Sequence, residues 1–240
     1  MKKQSLQPIR QILAGVLLFF VVASLYPSGA SAQVMNETTK KKISVGVGMF
    51  TDIWMDMSSG NVQSGVKSRT INQGVDLLAT YNIPFGKSPL SFAIGLGLDC
   101  HNLYGNFLVD SYSDSTKFIK IPDTIKYKKS KLTITYLTVP IEFRWKTQSM
   151  LTFAVGFKGG MLLGSGTKYV GDDYIFDKEG QMRVKFKKVK NLEQFTYGPT
   201  IRFGYRWINI NAQYMLSSIF NKNNTPEMYP ISIGIILMPF

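Results

Sequence analysis

Side chains suited to chemistry are few in this sequence. His101 is the one histidine, and Cys100 beside it is the one cysteine. A disulfide within the chain needs two thiols and a Cys/His zinc site needs several ligands, so both are excluded. Asp110, Ser111, Ser113 and Asp114 offer hydroxyls and acids that could be grouped with His101 into a hydrolytic set. A hydroxyl nucleophile must be held against a base that a third group orients, and nothing in this spacing imposes that geometry. His101 is therefore expected as an ordinary rim histidine and Cys100 as an inert thiol. No enzyme activity, cofactor or metal is expected. Charge is what remains: Lys+Arg 28 against Asp+Glu 15 gives +13, which points to an anionic partner.

The elements that position those charges alternate with a period of two, as strands do. In Leu90–Asp99 one face is Leu90, Phe92, Ile94, Leu96 and Leu98, and the other is Ser91, Ala93, Gly95, Gly97 and Asp99. The same contrast of large apolar against small or charged runs through 43–51, 69–81, 133–146, 149–163, 195–206 and 208–217. The last stretch, 229–240, is apolar on both faces below Gly234. These are eight candidate strands.

Two features separate a membrane barrel from a soluble secreted sandwich of the lectin kind, which would also alternate. The connections alternate between long (52–68, 102–131, 164–194, then a medium 219–228) and short (82–89, 147–148, 206–207), the asymmetry of outer-membrane barrels. Aromatics gather at the short-turn side (Tyr81, Phe85, Phe143, Trp145, Tyr205, Trp207), with Tyr136, Phe195, Tyr197 and Tyr214 expected in the opposite girdle. The chain also begins with Lys2, Lys3 and Arg10, an apolar run from Ile12 to Leu25, and Ala30-Ser31-Ala32. That is a cleavable secretory signal, with the cut expected before Gln33. The expected organisation is a signal peptide at 1–32, a short periplasmic segment at 33–42, and a barrel domain at 43–240. The fold expected is all-β: an eight-stranded antiparallel up-and-down transmembrane β-barrel with both termini periplasmic, in the outer membrane of a Gram-negative cell.

Tyr136-Leu-Thr-Val-Pro-Ile-Glu-Phe-Arg-Trp145, with its mid-strand proline, resembles a strand of PorT-like outer-membrane β-barrel proteins. Val155-Gly-Phe-Lys-Gly-Gly-Met-Leu-Leu163 and Asn209-Ile-Asn-Ala-Gln-Tyr-Met-Leu216 are similar to further strands of that family. The resemblance spans about 43–240. It implies a barrel and an association with an outer-membrane protein-export system, a role no particular residue here carries over. Phe240, with Met238 and Ile236 at spacing two, resembles the terminal signal read by barrel-assembly machinery.

If the apolar faces meet lipid, then Asp76, Asp99, Glu142, Arg144, Lys158, Arg202 and Arg206 point inward, and Cys100 points to lipid. Eight strands leave an interior that side chains fill. Isolated charges there are costly and paired ones tolerable, so a polar plug is expected rather than an ion path, with Glu142 and Lys158 as neighbours able to pair. Residues 117–131 and 174–190 interleave bases with aromatics, and the second reads as a hairpin extending the wall. Lys126, Lys128, Lys185 and Lys187 are the candidate contacts to anionic lipid, lipopolysaccharide phosphate above all. Nucleic acid is excluded as a partner by the secretory signal. The expected function is structural or recognition work through the external loops; the alternative is an accessory part of a type IX-like secretion machine, with envelope or secretion proteins as partners.

Overall fold

The computed structural model describes residues 43–55, 62–86, 88–110, 116–173, 180–221 and 227–238. The signal peptide, the 33–42 segment, Ser111, Ser113, Asp114 and Phe240 lie outside the described residues. Among the described residues eleven strands follow one another: β1 (Ile43–Met55), β2 (Asn72–Pro84), β3 (Leu90–Tyr104), β4 (Phe107–Asp110), β5 (Lys117–Lys120), β6 (Tyr127–Lys146), β7 (Leu151–Asp172), β8 (Gln181–Lys187), β9 (Phe195–Tyr205), β10 (Ile208–Tyr214) and β11 (Tyr229–Leu237).

Eight of them close into an antiparallel ring, β1-β2-β3-β6-β7-β9-β10-β11, with β11 returning to β1 from Val47↔Leu237 to Met55↔Tyr229. Closure leaves no free edge in the ring, so its backbone groups pair without water, the condition for crossing lipid with strands. Pro140 has no N–H to give. The β3–β6 ladder lapses there, between Ile94↔Ile141 and Gly97↔Thr138, and resumes on either side.

Residues of alternate parity separate as the sequence pattern predicts. Phe153 and Val155 are exposed on the outer face, whereas Ala154 between them is 1% exposed. The short connections are tight: Arg206 and Trp207 alone join β9 to β10, with Arg206 at φ 54°. The six aromatics at this end are all exposed, as an interfacial girdle requires.

At the long-loop end the walls of β6, β7 and β8 rise beyond the ring, and β4 and β5 form a separate two-stranded hairpin. The ring's upper inward residues, Leu103, Leu132 and Ile134, pack there against Phe107 of β4, Phe118 of β5 and Phe220. Phe107 and Phe118 meet edge to face at 4.7 Å, and Phe118 meets Phe220 at 5.7 Å. The long connections therefore fold down into an apolar cap over the mouth. Tyr136 is part of it, 1% exposed and turned inward, so it does not join Phe195, Tyr197 and Tyr214 in the outer girdle. Its even number places it on the same side as Ile134 and Thr138.

Candidate functional site

Beneath the cap the lumen carries charge in three layers, built where small inward residues leave room for long ones. Nearest the short turns, Ala154 stands in register between Arg144 and Arg202. Both guanidinium groups reach over it to one oxygen of Glu142: Arg144 Nε donates at 2.7 Å, and Arg202 Nη2 donates to the same Oε2. Arg144 also donates to Thr80 Oγ1 at 3.0 Å and to Asn82 Oδ1. Arg202 Nη1 lies against Met238 Sδ.

In the middle layer Lys158 Nζ donates to Asp99 Oδ2 at 2.9 Å, and Thr138 Oγ1 lies 3.3 Å from Asp99 Oδ1. Lys158 thus pairs with Asp99 and not with Glu142, as its strand neighbourhood alone suggested. Pro140, not Glu142, is its register partner on β6, and Glu142 is taken by two arginines. Asp76 faces Asp99 in register.

The uppermost layer was not legible as such. His101 is buried, not at an open rim, and its Nδ1 is 2.9 Å from Asp52 Oδ2. Ser232 Oγ donates to Asp52 Oδ1 at 2.6 Å, bridging β11 to β1. Phe50 and Tyr136 flank the imidazole at 4.8 and 5.9 Å. Histidine, acid and serine are close, but the serine is bonded to the acid and not to the ring. That arrangement fixes the acid and activates no nucleophile. Asp52 lies one residue past the strand that alternation predicts over 43–51, and the inward row Ser44, Gly46, Gly48, Phe50 points straight to it. Arg206 does not belong to the lumen: it is exposed in the β9–β10 turn, its guanidinium 5.4 Å from the Tyr205 ring.

Among the described residues no group of three or more His, Cys, Asp or Glu side chains is placed to hold a metal. Cys100 is half-buried, on the parity of the outward Leu96 and Leu98.

On the outside, Lys185 and Lys187 line one face of β8. Lys126 and Lys128 are exposed where β6 begins, Lys128 at a register shift between Tyr127 and Lys129. Lys126, ahead of the strand, gives its carbonyl to the N–H of Asp172 at 2.9 Å.

A closed eight-stranded ring, apolar outside and girdled by aromatics at both ends, defines an outer-membrane β-barrel protein. Residues 40–221 match the family described as Outer membrane protein beta-barrel domain, and the chain belongs to it. Two solved structures of Ail, the attachment invasion locus protein of Yersinia pestis, are similar at 12% identity over 82% of this chain and 97% of theirs. Their TM-scores are 0.37 and, for the complex with the heparin analogue sucrose octasulfate, 0.39. No curated protein matches the chain.

Proposed function

We propose that this barrel is a sealed, non-catalytic protein of the outer membrane whose working surface is its long-loop end, turned to the cell exterior. The observation that carries this reading is the double closure of the lumen. Paired charges fill the ring, and an apolar cap covers them, so neither a water column nor an open polar cleft remains for transport or chemistry. What is left for function is the exterior of the cap and the raised β6–β8 wall. Short turns on the periplasmic side are the habit of such barrels. Both the start of β1 and the end of β11 then lie there, with the mature chain beginning at Gln33 and inserted by barrel-assembly machinery.

An accessory place in an export machine rests on the PorT-like strands alone and ranks second. Deleting the gene and restoring it in two forms separates the readings. The full chain should restore envelope integrity, whereas a barrel with its four long connections cut to short turns should insert without restoring it. Restoration by the trimmed barrel would overturn the proposal. Loss of the secreted proteome with an intact envelope would favour the export role.

A further inference from the structure

The outer face of the raised wall carries a cation ladder that strict alternation hides. Up to Met161 the even residues of β7 point inward, as Lys158 does. Thr135 pairs with Gly164 but Tyr136 pairs with Leu162, so Leu163 is a bulge. One extra residue reverses the parity of everything beyond it. Lys168 is thereby brought to the outside, in register with Lys131 of β6 on one side and Lys185 of β8 on the other. The rung above joins Lys129, Val170 and Arg183, and the rung below joins Thr133, Gly166 and Lys187. Tyr104 beside Lys131 has Arg69, Lys129 and Lys131 at 5.3–5.6 Å from its ring.

Six cations on one sheet face repel one another. Among the described residues none of the six is ion-paired with a carboxylate; Asp172, four residues beyond Lys168, is the nearest acid on the same row. The Lys168 ammonium is held below the usual lysine range by partial desolvation and by Arg183, Lys185 and Lys129. Lys131 is held low by desolvation, then by Lys129 and Lys168. An arrangement that costs the free protein this repulsion is relieved by a polyanion.

Position selects which one. The exposed apolar Leu163 is the last lipid-type residue on β7. The three rungs lie roughly 10–24 Å along the strand beyond it, or about 8–18 Å in height at the tilt of such barrels. That is the level of the phosphorylated inner region of lipopolysaccharide, just above the acyl chains. We infer that the Lys131–Lys168–Lys185 ladder is a binding site for lipopolysaccharide phosphates, holding the outer leaflet against the β6–β8 wall. This inference rests on the long-loop end facing outward; it assigns the wall a ligand that the recognition role does not by itself require.

The test uses the purified mature barrel in zwitterionic detergent. It is titrated with lipopolysaccharide, with the same lipopolysaccharide dephosphorylated, and with a soluble sulfated oligosaccharide. The intact lipid should bind and weaken as salt rises. K131Q/K168Q/K185Q should bind it at least about tenfold more weakly, while K146Q, exposed at the opposite, short-turn end of β6, and the triple Lys→Arg variant bind as the wild type does. Equal affinity for the dephosphorylated lipid, or an undiminished triple Gln variant, overturns the site. So does an equally tight sulfated oligosaccharide held by the same lysines, which would make the ladder a receptor for soluble polyanions. Should the triple Gln variant misfold, K185Q alone is read, since β8 stands outside the ring; about a twofold to fivefold loss supports the site and none overturns it. A negative result leaves the envelope-restoration test of the cap untouched.

Discussion

Gly48 of β1 and Asp76 of β2 face one another in register, and a methyl group on Gly48 would fall 1.7 Å from Asp76 Oδ1. The carboxylate of Asp76 lies in space that only a glycine leaves open. Gly48→Ala must therefore push that buried acid towards Asp99 or strain the wall, at a cost of about 1–3 kcal/mol. The urea midpoint of the barrel folded in vesicles should fall accordingly; an unchanged midpoint would show that Asp76 is not held where the register puts it.

Glu142→Gln removes the charge that Arg144 and Arg202 share. Breaking a buried pair from one side costs on the order of 3–5 kcal/mol, so this variant should unfold at distinctly lower urea yet still insert. Lys158 keeps its partner in that variant. Asp99→Asn is the change that takes the hydrogen-bonded carboxylate from Lys158 and leaves it only the neighbouring Asp76, and adding Lys158→Gln to it should recover part of the loss; no recovery would mean Asp99 and Lys158 do not act as a pair.

The two faces of β7 should respond differently to arginine. At Phe157, exposed on the outer face between the short-turn girdle and Leu163, it enters the lipid-facing wall at mid-bilayer, costing roughly 2–4 kcal/mol, and the penalty should grow with bilayer thickness. Ala154→Arg instead forces a third guanidinium between Arg144 and Arg202, and its penalty should be indifferent to thickness. A thickness dependence common to both faces would reverse the assignment of inside and outside.

Conductance in planar bilayers should be negligible for the wild type, because the charge layers and the cap close the same path twice. Phe118→Ala loosens only the cap and should lower stability without opening a current. Steady ion-selective currents from the wild-type barrel would make it a small channel.

Much of the ring was legible because lipid outside and crowding inside impose opposite demands on neighbouring residues. The contrast of Phe153 with Ala154, or Ile94 with Gly95, is that demand written out. The sequence is silent where alternation is interrupted. The bulge at Leu163 shifts parity, and with Gly159, Gly160, Gly164 and Gly166 all around it no single glycine marks the place, so Lys168 could not be assigned to the outer face. Arg206 has the composition of a lumen charge but sits at positive φ in a two-residue turn. Tyr136 looked like a girdle residue by type, and its parity places it inside. Pairings were the least legible: Lys158 is long enough to reach along the barrel axis to Asp99, and neighbouring strands say nothing about reach.

The hydrogen bond from Ser232 to Asp52 joins residues separated by 180 positions, on the strands that close the ring. Contacts so distant in sequence form only after the intervening chain has been ordered. The ring therefore stays an open, curled sheet with two raw edges until β1 and β11 meet. This seam is the last to shut, with the acid on one edge and the hydroxyl on the other acting as its clasp.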